Sequence, residues 1–207
     1  MPTAQTDRFV HDQLPPADQW PEMRYDSPEL RVPDQFNVVQ ALFDRAFANG
    51  HADRPLFRSD ERTLTYAQAL AEVQRIGHVL THDLGLVPGN RVLLRGGNSI
   101  AMALAWLAVV RVGCIAVATM PLLRASELQA IVAKSKPGAA LCDVKLQDEL
   151  NTALAADASS ATLPLRVFNV GDAAVSLTNS LEALARHHSA TGDPCPTAAD
   201  DIALLAF

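Results

Sequence analysis

The sequence predicts an α/β fold, a mostly parallel sheet flanked by helices, and three observations predict it. Strand and helix patterns alternate from Arg91 to Phe207, which is the order of a doubly wound sheet. Two short apolar runs, Arg91–Arg95 and Cys114–Thr119, flank a helix pattern, Ile100–Val112, that is apolar on almost every side. Such a helix expects cover all round, and an apolar strand on either side of it implies a parallel crossover within a two-sided sheet. The 207 residues are 49% hydrophobic but only 5% aromatic, a balance of Ala, Leu and Val that suits layered α/β packing better than an aromatic-rich sandwich.

Residues 1–35 read as a proline-rich arm, with Pro2, Pro15, Pro16, Pro21, Pro28 and Pro33 breaking regular structure. Trp20, Met23 and Tyr25 are the side chains able to tack it down. Asn37 then caps a helix ending at Gly50, with Val39, Phe43 and Phe47 on one face and Leu42 and Ala46 beside them. Pro55–Leu64 reads as a small hairpin. Thr65 and Gln68 form a capping box for a helix burying Leu70, Val73, Ile76, Leu80 and Leu84, ended by Gly85. Pro88-Gly89 turns into the first apolar strand, and Gly96–Ser99 makes a tight turn into the apolar helix. Ser126 and Gln129 predict a third capping box, and Pro137-Gly138 ends that helix. A strand at Ala139–Cys142, a helix at Val144–Ala156, a strand at Arg166–Val170 and a helix marked by Leu177, Leu181 and Leu184 follow. Ile202–Phe207 reads as a buried strand.

The formal net charge of −6 comes with no long basic run, so nucleic acid is not an expected partner. No basic flank precedes an apolar run at the N-terminus, and Ile100–Val112 falls short of the roughly 20 apolar residues that span a bilayer. The expected setting is cytoplasmic, with no membrane association. Cys114, Cys142 and Cys195 lack paired spacing and read as small buried hydrophobes.

Motif by motif, little chemistry is visible. Gly96-Gly97 lacks the third glycine and the acidic residue of a dinucleotide fingerprint, so packing explains it better. His78 and His82 share a helix face at spacing four but lack a glutamate between them and a third ligand, and read as solvated or capping groups. His187 and His188 suit a helix C-terminus. Asp200-Asp201 solvate the approach to the last strand. Arg124 is a lone basic residue where the second central strand empties into a loop, the ligand edge of such a sheet.

Read in order, these pieces resemble the adenylate-forming acyl-CoA synthetases. Leu64-Thr65-Tyr66 is similar to that family's helix opening. The run Gly85-Leu86-Val87-Pro88-Gly89-Asn90-Arg91-Val92 is similar to its "gly, x, x, x, gly, asp, arg, val", with Asn90 in place of the common aspartate. Asn98 before an alanine-rich helix and the Arg111–Val117 segment continue the match. Met120–Leu128 looks most like the aryl branch, the benzoate and 2-aminobenzoate CoA ligases. The resemblance covers about Phe36 to Phe207, and its pieces are specific by their order and spacing.

The resemblance implies residues 36–207 as an incomplete N-terminal α/β domain, cut before the phosphate-binding loop that follows a segment like Asp201–Phe207. It implies a full-length enzyme that uses ATP and Mg²⁺ to convert a carboxylate, aromatic by branch, into an acyl-adenylate and then, with CoA, into a thioester. No catalytic residue carries over to this chain, which is expected to be inactive alone. Arg124 is the one site residue implied, as a contact for the CoA phosphates. The remainder of its own chain is the expected partner, and a homodimer is compatible with the pattern. Two rival readings stand beside this one: an adenylation module that loads a carrier protein, and a non-enzymatic α/β binding domain.

Overall fold

The computed structural model describes residues 3–22, 24–28, 31–169 and 179–207. Five parallel strands form the main sheet in the order β6-β5-β3-β4-β7: β3 (Arg91–Arg95), β4 (Ile115–Thr119), β5 (Ala139–Asp143), β6 (Leu165–Phe168) and β7 (Leu204–Leu205). The expected parallel α/β sheet is therefore present, with β3 at its centre. A separate antiparallel hairpin pairs β1 (Pro55–Arg58) with β2 (Thr63–Thr65).

Alternation along the strands divides the core. Val92, Leu94, Ala116, Ala139 and Leu141 face a layer made by α1 (Val38–Ala48), α2 (Tyr66–His78), α3 (Ile100–Arg111) and α6 (Leu181–Ala185). Leu93, Val117, Ala140 and Cys142 face the opposite way, onto α4 (Ala125–Ser135) and α5 (Gln147–Ala155). Successive side chains point to opposite faces, so a strand covered by helices on both sides must be apolar throughout.

Caps set most of the helix starts. Asn37 accepts from the Gln40 N–H, Ser99 from Met102 and Ser180 from Ala183. Thr65 and Gln68 make the full reciprocal box, at 3.2 and 2.9 Å. The box expected at Ser126 and Gln129 is not formed. The helix begins two residues earlier, with Arg124 at the N-cap and Glu127 reaching back to its N–H at 2.9 Å. A glutamate three residues on outcompetes the later pair because it satisfies the first turn without unwinding it. One π turn, Val79–Asp83, extends α2 toward Gly85, which sits at φ 63°.

Three other expectations change. α3 is not covered all round, since Trp106 is exposed on its outer side while Leu104, Ala105, Ala108 and Val109 are buried. In α1, Val39, Phe43 and Ala46 are buried but Leu42 and Phe47 lie at the surface. β7 is a two-residue edge strand with Leu204 and Phe207 exposed, not a buried strand. Among the described residues it pairs with β4 alone, and Leu205 packs against the core. Val170 and Leu177 lie outside the described residues.

The start of the arm is ordered against the amino edge of the sheet. Asp7 N–H donates to Pro88 at 3.0 Å, the buried Gln5 amide donates to the Ile202 carbonyl at 2.6 Å, and Ala4 N–H donates to Asp201 at 3.1 Å. Asp201 is thus held by the arm and by the Ala198 N–H rather than left to solvent. Trp20 and Tyr25 are about half exposed, the Trp20 indole donating to the Pro15 carbonyl within the arm at 2.7 Å; Met23 lies outside the described residues.

Candidate functional site

In open parallel sheets ligands bind beyond the carboxyl ends of the strands. Here that edge is formed by Gly96–Ser99 after β3, Met120–Arg124 after β4, the Asp143–Leu146 turn after β5 and Asn169 after β6. Its dominant feature is Arg95, the last residue of β3, which is 1% exposed. Its guanidinium donates to four carbonyls: Leu146 from Nε at 3.2 Å, Met120 from Nη1 at 3.1 Å, and Pro121 and Leu123 from Nη2 at 3.2 and 2.8 Å. No carboxylate lies within hydrogen-bond reach of it among the described residues.

Arg124 lies on this edge, at the N-cap of α4, with its side chain 77% exposed. Its Nη1 is 3.0 Å from Glu149 Oε1, and Glu149 Oε2 accepts the Ala125 N–H at 2.9 Å. The Ala125 N–H bond, then the Arg124 bond, hold the Glu149 carboxyl below its ordinary range. Glu149 therefore stays ionised, and the two residues form an exposed pair across the start of the helix.

A second cluster joins β5 and β6. The Asn169 amide donates to Asp143 Oδ2 at 2.7 Å and to Ser99 Oγ at 3.1 Å. Asn169 N–H donates to Glu182 Oε1 at 2.6 Å, while Glu182 Oε2 is buried with no partner among the described residues. Asn169 adopts φ 59°, a left-handed conformation in which asparagine is among the few tolerated non-glycine residues.

The Gly96-Gly97 turn divides in two. A Cβ on Gly96 would come within 2.9 Å of the Phe168 ring, whereas one on Gly97 would meet nothing within 4 Å. Packing explains the first glycine only. Gly97 borders an open cleft of about 420 Å³ shared with Arg58, Ser99 and Trp106.

Elsewhere, the histidines come together in a way that spacing alone did not show. His78 and His82 face each other with Nδ1 atoms 3.3 Å apart, and His188 stacks on His78 at 5.7 Å while bonding Asp83 at 2.9 Å. Yet among the described residues no group of three or more His, Cys, Asp or Glu side chains is placed to hold a metal ion. The three cysteines are free, with Cys114 and Cys142 buried and Cys195 partly so. Burial pushes the Cys114 and Cys142 thiols up to about 12, which removes them as nucleophiles.

Arg124 lies at the carboxyl edge, where the sequence placed it, whereas Arg95, Glu149 and Asn169 were not singled out by the sequence. One signal was available for Arg95. A charged residue closing an apolar run, directly before two glycines, has nowhere to go except across the carboxyl edge.

A family model described as AMP-binding enzyme matches residues 43–207. Among curated proteins, benzoate–CoA ligase of Thauera aromatica is 25% identical over 119 residues, covering 58% of this chain and 23% of that protein. Acetyl-coenzyme A synthetase of Mycobacterium tuberculosis (strain ATCC 25618 / H37Rv) is 39% identical over 88 residues, covering 40% and 13%. Among solved structures, the anthranilate CoA ligase AuaEII in complex with anthranoyl-AMP superposes with a TM-score of 0.72 at 20% identity, over 84% of this chain and 31% of that one. A benzoate CoA ligase from Burkholderia xenovorans LB400 gives 0.71 at 22% identity, over 82% and 32%. These two likenesses concern the fold. The chain spans about a quarter or less of the length of these curated relatives.

Proposed function

The chain belongs to the AMP-binding enzyme family, and we propose that it forms the N-terminal portion of an ATP-dependent CoA ligase acting on an aromatic carboxylate. The observation that carries this reading is the sheet itself. Its β3–α3–β4 unit bears the ordered motifs, and the fold matches those of an anthranilate and a benzoate CoA ligase over most of this chain. Enzymes of the family use ATP, Mg²⁺ and CoA. The proposed reaction has two half-reactions: the carboxylate attacks the α-phosphate of ATP, releasing pyrophosphate, and the CoA thiolate then displaces AMP from the acyl-adenylate. Chemistry of this kind depends on positioning and charge stabilisation.

This chain's share is scaffold and periphery. Among the described residues no group of three or more His, Cys, Asp or Glu side chains is placed to hold a metal ion. Arg124, exposed at the carboxyl edge, is the residue proposed to meet the CoA phosphates. No helix among the described residues is long and apolar enough to cross a membrane, and the proposal includes a cytoplasmic setting.

The test is a paired assay of pyrophosphate release and thioester formation by the full-length protein, with ATP, Mg²⁺, CoA and benzoate, 2-aminobenzoate or acetate. Aryl-CoA formation is expected. Preference for acetate replaces the aromatic reading, and transfer only to a carrier-protein thiol replaces CoA. The 207 residues alone are expected to release no pyrophosphate, and measurable release by them overturns the assignment of the chemistry to the rest of the enzyme.

A further inference from the structure

We propose that Arg95 is a positioning residue: its buried guanidinium bridges the turn that carries Arg124 to the turn that leads to Glu149, and so fixes Arg124 for an anionic substrate group. This rests on the reading of Arg124 as a contact for the CoA phosphates.

The bonds of Arg95 are distributed in a way that bulk packing would not require. Nη1 and Nη2 take the carbonyls of Met120, Pro121 and Leu123. The Leu123 carbonyl belongs to the peptide unit whose N–H is that of Arg124. Nε takes the carbonyl of Leu146, three residues before Glu149. One planar fork therefore spans both turns, and the Arg124–Glu149 pair closes the same bridge from outside at 3.0 Å. The Met120–Arg124 turn is held only in part by its own side chains. Met120 is 61% exposed and Leu122 is 83% exposed, leaving Leu123 as the side chain of those three that packs against the core. A guanidinium taken out of water without a paired carboxylate is costly, and here its four carbonyl bonds have to offset that cost. What the arginine supplies is a defined shape for two turns at the ligand edge, which a flexible lysine cannot reproduce.

The variants are Arg95→Lys, which keeps the charge and loses the fork, Arg124→Ala, and the two combined. Two readouts are taken: amide exchange at Leu122–Ala125, and CoA kinetics of the full-length protein. Arg95→Lys is expected to speed exchange at those amides about tenfold with cooperative unfolding retained. It should raise KM for CoA about fivefold with less than about a twofold change in kcat. Arg124→Ala should raise KM for CoA by about tenfold, and the double variant should be no worse than Arg124→Ala, since Arg95 acts through Arg124. Unchanged exchange in Arg95→Lys, additive effects in the double variant, or equal losses in kcat and in KM would each overturn the proposal. If the wild type makes no CoA thioester, the ligase reading fails on its own, and the exchange measurement still decides whether Arg95 fixes the turn.

Discussion

Strand β3 carries an arginine at each end, and the two solve opposite problems. Arg91, at the amino edge, is neutralised. Its Nη1 donates to the Asp7 carboxylate and to the Gly89 carbonyl, Nε and Nη2 take the Ser135 and Lys136 carbonyls, and the Phe9 ring lies 4.7 Å from its Cζ. Both Asp7 and Phe9 come from the arm, so this arginine fastens the chain's first residues to the sheet. Arg95, at the carboxyl edge, bonds carbonyls alone. No carboxylate among the described residues bonds this charge directly, although Glu149 and Cys142 both feel it. The difference separates a staple, which closes on a carboxylate of the arm, from a brace that closes on backbone carbonyls alone.

The comparison breaks first at the arginines themselves. Arg95→Met should be the most destabilising change considered, by about 3 kcal/mol, because four carbonyls lose a charged donor and those facing the core find no water. Asp7→Asn should cost less, about 2 kcal/mol. It leaves the Arg91 guanidinium with no carboxylate, but the Asp7 side chain is 24% exposed, so water softens the loss. Urea titrations of the three proteins measure this order. If Arg95→Met proves no worse than Asp7→Asn, the brace is dispensable to the fold and its four bonds are incidental.

Neither arginine was legible as buried. Both read as ends of an apolar run, and a charged strand end is ordinarily solvated. What the pattern did disclose was everything set by periodicity and capping: the parallel β3–α3–β4 unit, the Thr65–Gln68 box, and the helix at Asn37. It failed where partners distant in sequence decide the outcome. Asp7 lies 84 residues from Arg91, Glu149 lies 25 residues from the Arg124 it pairs with, and His188 stacks on His78 across more than a hundred positions. Ile202–Phe207 failed for a related reason. An apolar run implies a strand, but whether it is covered depends on the neighbour beyond β7, which no local pattern records. Arg124's position at the carboxyl edge was legible from the sequence, while the Arg95 brace beneath it is a tertiary feature.

Acid sharpens the contrast, because Arg91 bonds a titrating carboxylate directly while Arg95 bonds carbonyls. Burial pushes the Asp7 carboxyl up, but bonds from the Phe9 N–H, Arg91 and Asn90 outweigh it and bring the group below its ordinary 3.8. A carboxylate depressed in the folded state adds stability that is complete above the unfolded value and disappears as the pH falls through the folded one. The gap between wild type and Asp7→Asn should therefore be full at pH 7 and shrink below about pH 4. The gap between wild type and Arg95→Met should stay nearly constant over that range. Denaturation midpoints at pH 7 and pH 3 measure both, and a constant Asp7→Asn gap would remove the charge from the account of the staple.

The smallest expected effect lies at the outer end of the brace. Glu149 is held down by the Ala125 N–H and by Arg124, but the pair is open to solvent, with Arg124 77% exposed and Glu149 36%. Exposed pairs are screened by salt and contribute little to folding. Glu149→Gln keeps an oxygen for the Ala125 N–H and loses only the ion pair, so the melting temperature should move by less than about 1 °C. A shift as large as that of Asp7→Asn would mean that Arg124 is itself part of the staple-like core. A shift near zero leaves the Arg124–Glu149 pair without a measurable share in the stability of the fold.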